Sequence, residues 1–336
     1  MPRWRFEKRK RWIILIKMTE LYHMNPIISD KERLGSLDIY LTAANSSGRS
    51  NQTLRQLLAI PSCSIDKILV FDYEKLRPKE SNDNYSQLNE RYWEIARFSP
   101  NVIPCKSDDD DVNYIAGLNV ESGTRVGLDI TGFTIPDIFR ILYILHKVCN
   151  LSAIDVFYTE PKHYLFQKTM HNTYNYLSGE RTYRTIPEYT TGNNSPEILI
   201  CFLGFDAGVS NFLHEKVLPD ETFVVNGFPS YLPKLKDISL LNNSTLLKKG
   251  IPPQNHKYTV ANNPFSSYNV LAEIREEYPS KLMNICVLGT RPMALGACLF
   301  ALKNDKNLKV TYPYPKEYAS NTTSEFKISW HYEIRF

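Results

Sequence analysis

The chain has 336 residues, of which 43% are hydrophobic and 23% are charged. This length exceeds one ordinary core and fits two domains that can bury their cores without disulfides or metal ions. The 40 basic and 36 acidic residues give a net charge of +4, with much of the excess in residues 3–11. Outside that arm the charges nearly balance, so binding of duplex nucleic acid over a broad surface is not expected.

Residues 1–37 are interpreted as a basic N-terminal extension. Their apolar run, Trp12 to Ile16, is shorter than a signal-peptide core, and no segment reaches the roughly 18 apolar residues of a membrane span. The six cysteines lack CxxC spacing and lie mostly in apolar runs, which is typical of reduced core thiols. We therefore expect a cytoplasmic protein with no membrane partner.

An internal repeat organises the rest of the chain. The pattern Val-x-Tyr-x-x-Pro-Lys-x-Tyr occurs at 156–164 and again at 310–318. Five matching positions at identical spacing predict a tandem duplication. We assign residues 38–170 to a first Rossmann-like domain, 171–196 to a polar linker, and 197–336 to a second Rossmann-like domain.

In chain order, short apolar runs alternate with segments of helical spacing in both halves. The first half is predicted to contain strands at Ile39–Thr42, Lys67–Phe71, Val126–Ile130 and Ile154–Tyr158, and a helix at Pro136–Val148. The second half is predicted to contain strands at Ile198–Leu203, Phe223–Val225, Asn284–Leu288 and Leu308–Tyr312, and a helix at Pro292–Leu302. The alternation predicts an α/β fold of two tandem Rossmann-like parallel-sheet domains related by an internal pseudo-repeat.

Ligands of open parallel sheets bind beyond the carboxyl ends of the strands, so the loops there are the candidate sites. The loop after the first strand offers Asn45, Ser46, Ser47 and Arg49, which suit an anion cradle or a mobile polar turn equally. In the second half the matching turn is Gly204–Ser210, a Gly-x-x-x-Gly turn that contains Asp206. The aspartate could accept from a ribose hydroxyl or cap the following helix.

The turns after the third predicted strand of each half are the stronger candidates. They contain Asp129, Thr131, Gly132 and Thr134 in one half, and Gly289, Thr290 and Arg291 in the other. Glycine permits close backbone approach, threonine supplies a hydroxyl, and the helix start adds a positive field. The guanidinium of Arg291 can pair with a phosphate, so we favour ligand contact over a purely structural turn.

Two further features have competing interpretations. Lys162 and Lys316, flanked by tyrosines, could hold phosphate beside a stacked base, although packing of the strand end is the alternative. Four consecutive acids at 108–111 cannot all converge on one cation, so we interpret them as a solvated loop. Neither a metal ion nor a cofactor is expected.

The strand–turn–helix segments at 129–135 and 288–293 resemble the turns of CRISPR-associated Rossmann-fold (CARF) sensor domains. The second glycine of the family pattern is Phe133 here, and the lysine position is Ile135 in one copy and Arg291 in the other. The resemblance implies a cyclic oligonucleotide ligand bound between paired domains, and a role in prokaryotic antiviral defence. It also implies another protein subunit that carries the effector activity.

The leading hypothesis is therefore a sensor or regulatory subunit that binds a nucleotide or oligonucleotide in the cleft between the two halves. An enzyme that hydrolyses a nucleotide in the same cleft, as a phosphodiesterase or glycosidase, is the alternative, and the sequence leaves enzymatic activity open. A third alternative is a scaffold subunit of a nucleoprotein complex.

Overall fold

The computed structural model describes most of the chain after the basic arm. The described residues are 22–44, 49–73, 100–107, 109–118, 120–121, 123–165, 167–168, 174–175, 181–191, 197–304, 306–316 and 323–336.

Fifteen strands occur in the described residues. They are β1 (Tyr22–Pro26), β2 (Leu37–Ala43), β3 (Ile65–Tyr73), β4 (Asn101–Cys105), β5 (Val126–Asp129), β6 (Ala153–Tyr164), β7 (Gln167–Lys168), β8 (Tyr174–Asn175), β9 (Arg181–Thr191), β10 (Glu197–Phe202), β11 (Glu221–Gly227), β12 (His256–Thr259), β13 (Leu282–Val287), β14 (Leu308–Pro315) and β15 (Thr323–Arg335). Every strand predicted from the apolar runs is among them.

The α-helices of the described residues connect these strands. They are α1 (Ser50–Leu58), α2 (Asp110–Ala116), α3 (Ile135–Tyr143), α4 (Val209–Val217), α5 (Pro233–Asn242), α6 (Ser244–Leu247), α7 (Pro264–Glu277) and α8 (Arg291–Lys303). A single π-helical turn, Ile144–Val148, continues α3. Short 3-10 turns lie at Ile27–Ser29 and Pro253–Asn255.

Each half contains a five-stranded parallel sheet with the same strand order. In the first half the order is β6-β5-β2-β3-β4, and in the second it is β14-β13-β10-β11-β12. All four neighbouring pairs within each set are parallel. Numbered along each half, both orders are 5-4-1-2-3, the arrangement of a Rossmann-like sheet. The predicted fold class, including the internal pseudo-repeat, is confirmed.

The two halves exchange their last strands. β9 follows the first half but pairs antiparallel with β14 of the second sheet, and β15 follows the second half but pairs antiparallel with β6 of the first. β1 then adds to the outer edge of β15. The interpretation of 171–196 as a linker is therefore wrong for 181–191, whose Thr- and Tyr-rich sequence forms an extended edge strand.

One hydrophobic core runs through both halves. Helices α3 and α8 begin at equivalent turns and pack against each other at its centre. The ring of Tyr189, on the exchanged strand β9, lies edge-on to Phe139 of α3 with centroids 5.3 Å apart. Its hydroxyl donates to the carbonyl oxygen of Phe139 at 2.9 Å and lies 3.4 Å from Sγ of Cys298 on α8. The exchange therefore joins the halves through apolar packing as well as through the sheets.

The cysteines have the burial that their apolar surroundings predict. Five are buried, Cys149 is half-buried, and none forms a disulfide. Among the described residues, no helix is long and apolar enough to cross a bilayer.

Candidate functional site

A pocket opens at the carboxyl ends of the second sheet, beyond the adjacent central strands β10 and β13. It encloses about 100 Å³. Three strand ends supply its floor: residues 203–206 after β10, 226–227 at the end of β11, and 288–291 after β13. Its far wall consists of Tyr158 and Tyr164 from β6 of the first half. The pocket therefore lies at the topological switch point of one half and is closed by the other.

The two central strand ends can approach because of Gly204. A Cβ atom there would lie 2.0 Å from the carbonyl oxygen of Leu288, which is closer than any side chain tolerates. The carbonyl oxygen of Gly204 accepts from Oγ of Ser239 at 3.1 Å and from Nδ2 of Asn243 at 3.0 Å. These buried bonds fix the turn that forms the pocket floor.

The N-terminus of α8 faces the pocket and supplies its positive charge. Oγ1 of Thr290 accepts from the main-chain N–H of Met293 and donates to the carbonyl oxygen of Ala261, so this threonine is occupied as a helix cap. Nε of Arg291 donates to the carbonyl oxygen of Phe133 at 2.8 Å. The two Nη groups of Arg291 make no hydrogen bond to another described residue, so they can receive an anion next to the positive helix end.

Aromatic rings form the opposite side of the pocket. Tyr231 lies between the rings of Tyr158 and Tyr164, with both centroid separations at 6.4 Å, and its plane is within 9° of that of Tyr164. Phe205 meets Tyr164 edge-on at 5.4 Å. Burial raises the pKa of Tyr231 well above 10, so its phenol stays neutral. The aromatic surface that this cluster presents to the pocket suits a flat, uncharged ring such as a nucleobase.

Two polar side chains complete the pocket. Asn226 is only 3% exposed, and its Nδ2 donates to the carbonyl oxygen of Lys236 at 3.3 Å. Its Oδ1 accepts no hydrogen bond from another described residue, so it can accept from a ligand N–H or O–H. Asp206 forms an ion pair with Arg181 at 3.5 Å, which offsets its negative charge.

The corresponding place in the first half is filled by its own side chains. Asp129 is fully buried and accepts from the hydroxyl of Tyr40 at 3.1 Å and from the N–H of Thr131 at 2.9 Å. Burial raises the pKa of Asp129 to about 6 despite these bonds. Oγ1 of Thr131 accepts from the N–H of Thr159 at 2.8 Å. Each of these groups already has a partner within the protein, and none of them lines the pocket.

The remaining first-half candidates have structural partners. Arg49 is 4% exposed and donates to the carbonyl oxygen of Thr159 at 2.7 Å and to Oγ1 of Thr323 at 3.1 Å. Thr134 caps α3 in a reciprocal capping box with Asp137. A Cβ atom at Gly132 would lie 2.3 Å from the carbonyl oxygen of Ala43, so this glycine permits the close approach of β2.

The structure therefore brings together only part of the predicted set. The predicted residues that line the pocket are Gly204, Asp206, Gly289, Thr290 and Arg291. Lys162 is exposed and pairs with Glu325 at 2.7 Å, Lys316 is exposed, and neither lysine is among the residues that line the pocket. Asn45, Ser46 and Ser47 lie outside the described residues.

Sequence reasoning missed two groups of the pocket, the ring of Tyr231 and the amide of Asn226. Asn226 lies at the end of β11 and Tyr231 in the loop that follows it, and the sequence analysis treated this part of the chain only as a strand end. An Asn-Gly pair directly after the apolar run Phe223–Val225 is a signal that could have placed a polar loop at the sheet edge.

The acidic run is not merely a solvated loop in its described part, 109–111. Asp109 pairs with Arg140 of α3 at 2.6 Å. Asp110 accepts from the N–H groups of Lys106 and Ser107 at the start of α2, and Asp111 is buried against the hydroxyl of Tyr73. Among the described residues no group of three or more His, Cys, Asp or Glu side chains is arranged to hold a metal ion.

Comparisons with known proteins add little to this geometry. No protein-family model matches the chain, and no curated protein matches it. A functionally unknown protein from Pseudomonas aeruginosa PAO1 matches with 11% identity and a TM-score of 0.27, over 85% of this chain and 94% of that one.

Two other solved structures match equally distantly. A putative universal stress protein from Pseudomonas aeruginosa UCBPP-PA14 has 14% identity and a TM-score of 0.27, over 84% of this chain and 95% of that one. The cytoplasmic domain of a prokaryotic cation chloride cotransporter has 9% identity and a TM-score of 0.27, over 83% and 96%. Likeness at this level carries no argument about function.

Proposed function

We propose that the chain binds a nucleotide in the pocket between the second sheet and β6, and that it acts as a sensor or regulatory subunit. The observation that carries the proposal is that one pocket has an anion site on one side and an aromatic surface on the other. The Nη groups of Arg291 and the start of α8 offer an anion site, and the rings of Tyr158, Tyr164 and Tyr231 offer a surface for a base.

Asn226 adds a third element of recognition. The residue is largely buried, and its Oδ1 accepts no hydrogen bond from another described residue, so a ligand that displaces water from the pocket must donate to this oxygen. A base amino group or a ribose hydroxyl supplies such a donor. The pocket thus offers separate partners for phosphate, ring and polar edge, as small-molecule sites do.

Binding without turnover is favoured over hydrolysis. Among the described residues that line the pocket, the only charged side chains are those of Asp206 and Arg291. Asp206 is already paired with Arg181, and the same lining residues include no His, Cys, Glu or Lys that could serve as a general base or nucleophile.

The resemblance to CARF domains suggests a biological role for the chain. On that basis we propose that its ligands include cyclic oligonucleotides and that it belongs to a protein assembly of prokaryotic antiviral defence. The effector activity then belongs to another subunit. This part of the proposal is supported by the short strand–turn–helix motifs alone.

The test is a calorimetric titration of the full chain with AMP and with GMP, followed by chromatography of the nucleotide after prolonged incubation. Saturable binding with the nucleotide recovered intact is expected. Loss of nucleotide over time would favour the alternative that the chain is an enzyme that hydrolyses the nucleotide. An absence of binding would contradict the proposal. A random DNA duplex should be titrated at low and at physiological salt, and it should bind weakly at physiological salt. For duplex DNA, the logarithm of the binding constant falls with the logarithm of the salt concentration, with a slope near −0.9 for each neutralised phosphate.

A further inference from the structure

A second cavity adjoins the pocket on its first-half side. It encloses about 290 Å³. Its lining residues come from the exchanged strand β15, from β6 and from the loops after β11 and β12: Glu160, Pro229, Ser230, Tyr231, Val260, Asn262, Lys327, Ile328 and Trp330. Ser230 and Tyr231 line both spaces, so a single residue pair separates the cavity from the pocket.

A buried carboxylate lies in the wall of this cavity. Glu160 is 1% exposed, with Oε1 accepting from Nζ of Lys327 at 3.0 Å and Oε2 accepting from Nε1 of Trp330 at 3.1 Å. Each carboxylate oxygen can accept one more hydrogen bond. The carboxylate is therefore charge-balanced and retains acceptor capacity.

Asn262 adds a polar amide to the lining of the cavity. The side chain of Asn262 is half-buried and makes no hydrogen bond to another described residue, whereas its main-chain oxygen accepts from the hydroxyl of Tyr332 at 2.8 Å. An amide presents a donor and an acceptor side by side, which matches the edge of a purine. Trp330 and Tyr231 supply aromatic surface in the same cavity.

We propose that this cavity is a second nucleobase subsite, so that the ligand is a dinucleotide or a longer oligonucleotide rather than a mononucleotide. The inference rests on the proposed function of the adjoining pocket. One base occupies the pocket and its phosphate lies at Arg291. The next nucleotide passes Ser230 and places its base against Trp330, where Asn262 and Glu160 meet its polar edge.

Tyr231 is the partition between the two bases. Its ring lies 6.4 Å from that of Tyr164, whereas a flat ring held between two others needs about 7 Å, twice the 3.5 Å contact distance of carbon atoms. A base between these two rings therefore requires an outward shift of Tyr164, which is half-buried at the end of β6. The second base needs no such movement, because its cavity is already open.

The test compares AMP with the linear dinucleotide pApA, and GMP with pGpG, by calorimetry on the full chain and on three variants. Trp330→Ala removes the ring of the second subsite, and Asn262→Ala removes the amide without touching Glu160. Phe326→Ala is the matched control, because Phe326 is an exposed aromatic residue on the same strand that lines neither cavity. Melting temperatures report whether each variant folds.

The wild type should bind at least one dinucleotide about tenfold more tightly than its mononucleotide, a typical gain for one stacked base. Trp330→Ala and Asn262→Ala should each lower dinucleotide affinity severalfold to about tenfold and leave mononucleotide affinity unchanged, with Phe326→Ala behaving as wild type. Equal affinity of mononucleotide and dinucleotide in the wild type would overturn this inference and leave the proposed function standing. If neither class binds, the proposed function fails and the inference with it.

Discussion

Nε of Arg291 lies 2.8 Å from the carbonyl oxygen of Phe133 and donates a hydrogen bond to it. The two residues occupy equivalent turns, one at the start of α8 and the other just before α3. The bond therefore links the turn beside the pocket of the second half to the corresponding turn of the first half, where side chains fill the space. It also orients the guanidinium, leaving its Nη groups for the pocket.

Arg291→Ala should weaken AMP binding about tenfold to a hundredfold, because it removes the cation of the anion site. It should also lower the free energy of unfolding by about 1–2 kcal/mol, since the carbonyl of Phe133 loses its donor. Arg291→Lys should restore part of the affinity as a point charge. Calorimetry and urea denaturation measure the two effects.

Arg335→Ala is the control for this pair of variants, because Arg335 is exposed and, among the described residues, pairs with Glu333 two positions away. Arg335→Ala should change neither the affinity for AMP nor the free energy of unfolding. A large loss of stability in Arg291→Ala with unchanged AMP affinity would show that Arg291 acts only as a link between the halves.

Gly204→Ala should destabilise the protein by about 3 kcal/mol and abolish nucleotide binding, because its methyl group would overlap the carbonyl oxygen of Leu288. Separating the two strand ends moves the pocket floor. Gly123→Ala is the control, since a Cβ atom at Gly123 meets nothing within 4 Å, and it should change stability by no more than about 0.5 kcal/mol. Thermal melting of both variants distinguishes them; equal melting temperatures would refute the close-approach argument.

The sequence predicted the parallel strands because buried strands carry local signals. The run Ile198–Leu203 is apolar throughout, and β10 is buried in the centre of its sheet. The start of α8 was also readable, since Thr290 and Pro292 have the spacing of a cap and a first-turn proline. These features depend only on neighbouring residues, which is why a single sequence shows them.

The exchange of β9 and β15 was not predictable from the same signals. The segment Arg181–Thr191 has the Thr- and Tyr-rich composition of a strand, but its sequence does not encode which sheet it joins. Likewise, Thr131 looks like a ligand contact until the main-chain N–H of Thr159 is seen to occupy its hydroxyl. Partners distant in sequence decide both outcomes, so local patterns cannot supply them.

A fragment of residues 22–170 should not fold stably alone, because it lacks the strand between β1 and β6. β15 pairs with both, and among the described residues β1 has no other strand partner. Adding a synthetic peptide of residues 323–336 should restore a cooperative thermal transition, followed by circular dichroism. A peptide of the same composition in scrambled order is the control. Cooperative unfolding of the fragment without the peptide would contradict this role of the exchanged strand.

A buried charge cluster holds β15 in the first sheet and should make stability depend on pH. The imidazole of His331 contacts Asp30 at 2.5 Å and Asp155 at 2.7 Å, and Arg125 donates to Asp155 at 2.8 Å. Burial opposes the charge of His331, but its hydrogen bonds to the two carboxylates outweigh that effect and raise its pKa. Burial likewise opposes the charges of Asp30 and Asp155, yet His331 and the other donors hold both pKa values below the usual range.

These shifts fix the direction of the pH dependence. The contribution of His331 is complete below the unfolded-state pKa of about 6.5 and is lost as the pH rises through its higher folded-state pKa. The contribution of Asp30 and Asp155 is present above about pH 4 and is lost as the pH falls through their lower folded-state values. Stability from this cluster should therefore be greatest between about pH 4 and 6.5 and should decline on the alkaline side.

His331→Gln should lower the free energy of unfolding by about 3–5 kcal/mol at pH 6, because the two buried carboxylates of Asp30 and Asp155 lose the cation that they share. The difference between wild type and variant should shrink as the pH rises above 6.5, since deprotonation removes the same charge from the wild type. Urea denaturation at intervals from pH 5 to 9 measures this difference. His163→Gln is the control, because His163 is exposed and 3.9 Å from its acidic neighbour, Glu325. A difference that stayed constant across this range would show that His331 stabilises the strand by packing and neutral hydrogen bonds alone.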